Sequence, residues 1–320
     1  MTITTSNKVS SLDTGAETET SPQSTNVQDT VVVANDTTTA SATSAKTDVT
    51  PPQTVDRFAP LEDLIRKATN VIFLPGLTFL FVIAIWSGIQ HTIAPDLPTP
   101  VETWGKAMEI FGDPFYEYGP NDMGIGWQVM YSVGRVLAGF LLASLVGVPV
   151  GFLIGMSDTF SRAWNPLIKI LRPVSPLAWL PIGLLIFKAV DPSAIFVIFI
   201  TSIWPVIINT AAGVRNIPSD YMNVAQVLKL SQLEIARKIL LPATLPHILT
   251  GMQLSLSTAW MVIVAAEMLT GGIGIGFYIW DEWNNLSVTS IIVAIVVIGL
   301  VGIALEAGMN LLQKRLSYQS

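Results

Sequence analysis

The residues of this chain that could act on a solute lie within or beside long apolar segments. Arg135 precedes one such segment, Lys188 follows another, and Glu267 ends a third. Placing Arg, Lys or Asp in hydrocarbon costs about 2.5–3.5 kcal/mol even on lenient scales, so such positions need a function or a partner. Arg135 and Lys188 could attract an anion; alternatively they reach towards water or form ion pairs, Arg135 with Glu267. Asn209 and Ser257, inside apolar segments, could line a passage or bond between helices.

Bond-breaking chemistry and cofactor binding find little support in the sequence. The chain has no cysteine, and no aspartate lies inside an apolar segment, so neither a thiolate metal site nor an intramembrane hydrolase is expected. His91 and His247 are isolated and form no metal-binding pattern. The stretch GIGIG at 272–276 lacks the Lys-Ser/Thr of a phosphate loop and is expected to form a flexible external turn. We therefore expect no catalytic residue, no metal and no cofactor on this chain.

Apolar segments of membrane-spanning length must position these groups. The chain is 51% hydrophobic and only 12% charged, whereas globular chains carry about 25% charged residues. A helix needs about 20 apolar residues to cross a bilayer. Six segments reach or approach that length: 71–89, 136–156, 173–187, 194–212, 248–266 and 288–305. The predicted fold class is an all-α membrane protein with about six transmembrane helices.

Two of these segments carry distinctive residues. The third has three prolines, at 173, 176 and 181, and crosses a bilayer only if residues 168–172 or Lys188 extend it. In the second, Gly147, Gly151 and Gly155 follow at intervals of four. Small residues at that spacing favour close helix packing over a pore lining.

Charge is distributed unevenly around the segments. Residues 1–58 form a polar tract without an apolar stripe, predicted to be a disordered cytoplasmic tail before a membrane domain at 59–316. The 95–128 connection is mostly acidic and is expected outside the cell. Basic residues concentrate on the side that the chain termini share, which predicts cytoplasmic termini: Arg66, Lys67, Arg162, Lys169, Arg172, Arg215, Lys229, Arg237, Lys238, Lys314 and Arg315.

The connection at 218–242 is a charged interruption between two apolar segments. Ser231-x-x-Glu234 predicts a capping box that starts a helix, and Pro242 is expected to end that helix. Two short amphipathic helices with this pattern could lie in lipid headgroups or dock into a groove on another protein, and the pattern leaves both open. The mostly apolar stripe consists of Val224, Leu228, Ser231, Ile235 and Ile239.

The sequence NVAQVLKLSQLEIARKILLP resembles the EAA loop of ABC importer permeases. Ala225 matches the second alanine and residues 239–242 match the terminal Ile-x-Leu-Pro, whereas Asn223, Val224 and Lys229 replace the usual Glu, Ala and Gly. In that family the loop is a pair of coupling helices that seats on the ATPase subunit. The resemblance therefore implies a set of ATPase-docking residues: Val224, Ala225, Leu228, Lys229, Ser231, Glu234, Ile239 and Pro242.

A second stretch, AAEMLTGGIGIGFYIWDEWNN at 265–285, resembles the permeases of the nitrate, bicarbonate and cyanate importers, which are related to taurine and alkanesulfonate systems. The resemblance implies a type I ABC importer permease in the bacterial inner membrane, working as a homodimer. Its implied partners are ATPase subunits that use ATP and Mg, and a periplasmic or lipid-anchored solute-binding protein; no nucleic acid is implied.

The resemblance makes nitrate, with nitrite, the first expected solute. Bicarbonate, cyanate or an alkanesulfonate is the alternative. A function of another class, a passive anion channel, would need no coupling loop and so explains the sequence less well.

Overall fold

The computed structural model describes residues 73–120 and 122–317, and these are mostly helical. Within those ranges no strand forms, and one isolated bridge joins Glu117 to Met123. The predicted all-α fold is therefore confirmed. The tail predicted at 1–58 and the first residues of the segment predicted at 71–89 lie outside the described residues. The helices, in chain order, are α1 (Leu74–Thr92), α2 (Pro100–Gly112), α3 (Ile125–Met156), α4 (Asp158–Leu171), α5 (Leu180–Phe187), α6 (Val190–Arg215), α7 (Ser219–Val227), α8 (Gln232–Ile235), α9 (Leu241–Thr270), α10 (Ile275–Asn284) and α11 (Val288–Ser317).

Five helices in the described residues are long and apolar enough to cross a membrane, and a bent pair could supply a sixth crossing. This agrees with the predicted number of about six. The five are Leu74–Thr92, Ile125–Met156, Val190–Arg215, Ala236–Thr270 and Val288–Leu316.

The third predicted segment, 173–187, is not a straight helix. It consists of a 3-10 turn at Pro176–Trp179 followed by the short helix α5, and this pair is bent by 97° from α4. Residues 168–172 therefore do not extend it, because they belong mostly to α4. Lys188 ends α5 in a left-handed conformation with φ of 52°. The prolines cause the break, since each removes a backbone donor and restricts the residue before it.

Helix α6 is the centre of the bundle and packs between α3 and α9. The glycines predicted to form a packing face do so: a Cβ on Gly147, Gly151 or Gly155 would collide with α6 side chains, those of Val206, Thr210 and Val214 respectively. Missing Cβ atoms let the two backbones approach closely, which gains dispersion contacts where lipid provides no hydrophobic driving force.

The helix expected to end at Pro242 continues through it. Residues Ala236–Leu240 form a π turn in which the N–H of Leu241 donates to Ala236, and α9 follows without interruption. Pro242 is the second residue of α9 and follows the π turn directly. In a regular helix its ring would clash with the carbonyl four residues earlier, and its missing N–H would leave that carbonyl without a donor. The π turn thus absorbs the proline that would otherwise break the helix.

Helix α1 buries none of its residues against the rest of the described chain. Its large side chains, among them Phe79, Leu80 and Phe81, are exposed. A helix apolar on all sides is stable when lipid or protein surrounds it, which fits a membrane span.

Candidate functional sites

Helix α7, in the charged loop (residues 218–242), ends in a Schellman motif. Lys229 is left-handed, with φ of 51°, and the N–H of Leu230 donates to the carbonyl of Ala225 at 3.1 Å. This is the six-to-one bond of the motif, which favours glycine at the left-handed position because a Cβ raises the energy there. The geometry explains why the EAA pattern has glycine where this chain has Lys229.

Helix α8 begins with the capping box predicted from Ser231 and Glu234, which the structure confirms. The N–H of Glu234 donates to the Ser231 hydroxyl at 3.3 Å, and the N–H of Ser231 donates to the Glu234 carboxylate at 3.0 Å. Lys238 adds an ion pair at 3.2 Å. The backbone bond from Ser231, followed by the bond from Lys238, lowers the pKa of Glu234 from 4.5 to about 2.

The inner side of the charged loop is attached to the membrane helices by a small apolar cluster. Ala225, Ile235 and Leu240 are buried with Val214 of α6, and Phe152 of α3 packs against them. Ile239 packs on the same cluster. Ala225 has no exposed surface. It therefore packs the loop against the membrane helices, and its role in ATPase docking stays a prediction.

The outer side of the loop presents apolar residues to solvent. Val227 is 82% exposed and Leu228 63% exposed, and Tyr221, earlier in α7, is 55% exposed. Leu228 faces solvent, whereas Ile235 is buried, so the single stripe predicted from spacing does not form. The left-handed turn at Lys229 changes the direction of the chain between these two residues. Ser231 and Pro242 are exposed, whereas the side chain of Val224 lies outside the described part of the structure.

A second site, the ionic centre, joins α3, α6 and α9 through Arg135, Asp191 and Glu267. The buried Glu267 carboxylate lies 2.6 Å from Nη1 of Arg135, and Nη2 of Arg135 lies 2.6 Å from Asp191. Nη1 also donates to the carbonyl of Ile273 at 2.5 Å. The predicted pairing of Arg135 with Glu267 is confirmed. Because two carboxylates share the guanidinium, little of its positive charge remains for a solute; a place in the translocation path stays a prediction for both residues.

The glycine turn that follows α9 is held firmly by this centre. The N–H of Gly274 donates to Gln128 at 2.6 Å, that of Ile275 to the Ser132 hydroxyl at 2.9 Å, and that of Gly276 to Glu267 at 3.0 Å. These donors open helix α10, where backbone N–H groups lack intrahelical partners. A Cβ on Gly274 would collide with the Glu267 carboxylate. The expectation of a flexible turn was wrong, because side chains from α3 and α9 fix it.

The other predicted path residues are not joined to the ionic centre by any hydrogen bond or ion pair in the described residues. Lys188 is exposed at the end of α5. The Asn209 amide donates to Pro205 of its own helix at 2.8 Å, and Asn209 packs where Gly251 of α9 leaves room. Ser257 lies on an exposed face of α9. Their place in a path stays a prediction.

Sequence reasoning missed Asp191, Ser132 and Gln128. A usable signal was present in α3, where Gln128, Ser132 and Arg135 follow at spacings of four and three and so share one helix face. Asp191 stands in the first turn of α6, a position that favours acidic residues. No group of three His, Asp or Glu suited to a metal ion occurs in the part of the chain that is described.

Comparison with known proteins places this architecture in a family. Residues 147–318, which include the close-packed glycines, the charged loop and α9 to α11, match the model of the binding-protein-dependent transport system inner membrane component. The chain belongs to this family. It is a permease of the ABC importer class.

Curated relatives match the permease over most of its length. It is 50% identical over 256 residues to the nitrate import permease protein NrtB of Leptolyngbya laminosa, covering 79% of this chain and 90% of the relative. It is 42% identical over 258 residues to the bicarbonate transport system permease protein CmpB of Synechocystis, covering 80% and 92%. It is 32% identical over 243 residues to the taurine permease TauC of Escherichia coli, covering 75% and 87%.

A solved structure supports the fold of the permease. A chain of the MetNI methionine ABC transporter in an inward-facing conformation superposes with a TM-score of 0.52 at 15% identity, covering 59% of this chain and 94% of that chain. At that identity the likeness concerns the fold alone. The expected type I ABC importer permease fold is confirmed.

Proposed function

We propose that this permease forms the translocation path for nitrate, with nitrite, in an ATP-driven importer. The observation that carries the proposal is the 50% identity over 256 residues to a nitrate import permease. Bicarbonate is the second candidate, supported by 42% identity over 258 residues, 92% of a bicarbonate permease. The chain has no proposed catalytic role and binds no cofactor; partner ATPase subunits hydrolyse ATP with Mg.

The proposed assembly has two permease copies, two cytoplasmic ATPase chains and a periplasmic or lipid-anchored solute-binding protein. The exposed Tyr221, Val227 and Leu228 supply an apolar docking surface for the ATPase, and the buried cluster beneath them transmits its movement to α3 and α6. ATP-driven closure of the ATPases would then switch access to the path. The switch requires contacts that differ between the two states, since equal contacts shift no equilibrium.

The proposed location is the bacterial inner membrane, crossed several times, with both termini in the cytoplasm. Basic residues support this orientation, because short cytoplasmic connections are rich in Lys and Arg. Arg215 at the end of α6 donates to Ile154 at the end of α3 at 3.1 Å and to Ser161 of α4. These bonds bring α4 to the same end of the bundle as the charged loop.

Reconstitution of the whole complex in proteoliposomes tests the proposal. Labelled nitrate should accumulate inside vesicles that hold the binding protein, and only with ATP on the ATPase side. A complex whose ATPase cannot hydrolyse ATP is the matched control and should accumulate none. Accumulation of bicarbonate instead would contradict the proposal that nitrate is the substrate. Equilibration of nitrate without ATP would favour a passive channel and overturn the importer.

A further inference from the structure

The bend between α4 and α5 leaves an exposed, unpaired cation beside α6 and α9. Arg172 follows α4 directly, and its side chain has no hydrogen bond or ion pair with any described residue. It lines a cavity of about 270 Å³ with Thr201 of α6 and Thr258 of α9. At a rise of about 1.5 Å per residue, these threonines lie roughly 16 and 18 Å from the ends of α6 and α9 that carry the ionic centre. Arg172 is exposed in this single chain, so its guanidinium is open to water or to a ligand at this level of the helices.

The cavity beside Arg172 is lined by two tryptophans and by no acidic residue. Trp179 and Trp204 line it, and neither indole N–H has a partner among the described residues. The hydroxyls of Thr201 and Thr258 donate to their own helices at 2.7 Å, so they supply no donor to a ligand. A guanidinium with indole donors and without carboxylates suits a small anion, because it combines charge with directed hydrogen bonds.

A second cavity continues from Arg172 along α6. It measures about 490 Å³, and Lys169 and Asn165 of α4 line it together with Arg172 and Ile208. Ile208 lies nearer than Thr201 to the end of α6 that carries the charged loop. Arg172 therefore stands where two cavities meet, and the second of them adds another cation and again no carboxylate.

We propose that Arg172, with the indole N–H groups of Trp179 and Trp204, binds the transported oxyanion midway along the path, and that Lys169 receives it on the side of the charged loop. The ligand class is a singly charged small oxyanion, such as nitrate or bicarbonate. This inference rests on the proposed importer function. It differs from the path predicted from the sequence, whose best-placed cation, Arg135, is held by Asp191 and Glu267.

Uptake by the reconstituted complex tests the site with matched variants of α4 and its end. Arg172→Gln should lower nitrate uptake at least about tenfold, since it removes a charge-assisted donor. Arg172→Lys should retain more uptake than Arg172→Gln, because a point charge remains. Arg162→Gln removes a cation of the same helix that lines neither cavity, and it should leave uptake unchanged.

A specific readout separates binding from folding. Arg172→Gln should raise the nitrate concentration that gives half-maximal uptake while the ATPase still co-purifies. If this variant fails to assemble, Trp179→Phe decides, because phenylalanine keeps an aromatic ring at this position and has no N–H; we expect about threefold or more weaker uptake. Wild-type uptake in an assembled Arg172→Gln complex, or in Trp179→Phe, would overturn the site. If the wild type accumulates bicarbonate rather than nitrate, the assignment of nitrate as substrate is contradicted, but the proposed site is not. The same variants then test the site with bicarbonate.

Discussion

Nη1 of Arg135 lies 2.6 Å from the Glu267 carboxylate, although 132 residues separate the two in the chain. Arg135 and Glu267 are buried, whereas Asp191, the second carboxylate that pairs with Arg135, has a side chain that is 63% exposed. Taking charges out of water costs several kcal/mol per ion, which only good geometry and further hydrogen bonds offset. The Ser132 hydroxyl and the N–H of Gly276 supply such bonds to Glu267.

Glu267→Ala should therefore destabilise the permease strongly. It leaves Arg135 with one carboxylate, Asp191, and the N–H of Gly276 with no partner, and we expect a loss of about 3 kcal/mol. Thermal unfolding in detergent and membrane abundance measure the effect. Glu109→Gln, at an exposed carboxylate paired with Lys106, is the control and should change stability little. Equal stability of Glu267→Ala and the control would refute the structural role of the ionic centre.

Substitutions at Lys229 should follow the conformational cost of its left-handed backbone. Lys229→Gly should stabilise the charged loop, by about 1 kcal/mol, because glycine adopts positive φ without a Cβ penalty. Lys229→Val should destabilise it, since β-branched residues tolerate this region least. Limited proteolysis of the charged loop ranks the variants by stability: glycine should be the most resistant, wild-type lysine intermediate and valine the least resistant. A valine variant more resistant than the glycine variant would contradict the Schellman geometry.

The two sides of the charged loop should respond differently to a carboxylate. Ala225→Glu would bury an unpaired charge against α6, at a cost of several kcal/mol, and should lower the amount of folded permease in the membrane. Leu228→Glu changes an exposed side chain and should leave that amount intact while reducing co-purification of the ATPase. Normal co-purification and normal ATP hydrolysis with Leu228→Glu would mean that this surface does not dock.

The capping box should lose its contribution in acid. The pKa of Glu234 falls from 4.5 to about 2 on folding, so its stabilisation is complete above about pH 4.5 and is lost as the pH falls towards 2. Hydrogen exchange at the start of α8, corrected for intrinsic rates, should increase over that range. Glu234→Gln should remove most of this local dependence. An unchanged dependence in Glu234→Gln would assign the effect to other groups.

Labelling with an impermeant maleimide checks the proposed orientation. Tyr118 and Val227 are both highly exposed, at 80% and 82%, so a cysteine at either position should be reactive wherever the reagent reaches it. In whole cells Tyr118→Cys should react and Val227→Cys should not, and both should react after the membrane is opened. The reverse pattern would place the charged loop outside, where no ATPase could bind it.

Features whose causes are local in the chain were predictable from the sequence. The apolar segments predicted membrane helices because a bilayer demands about 20 apolar residues. Ser231 and Glu234 are three residues apart, and the glycines of α3 are four apart. Because one helical turn spans three to four residues, this spacing alone brings the capping pair together and puts the glycines on one face. The resemblance of the charged loop and of residues 265–285 to known permeases gave the family before any contact was known.

Long-range packing decided the rest. Arg135 meets Asp191 and Glu267 only because α6 lies between α3 and α9, and no spacing within one helix encodes that arrangement. The left-handed turn at Lys229 left Leu228 exposed and Ile235 buried, although both belong to the predicted stripe. The 97° bend placed Arg172 between two cavities. Periodicity reports which residues share a helix face, whereas the partner of that face depends on how all the helices pack together.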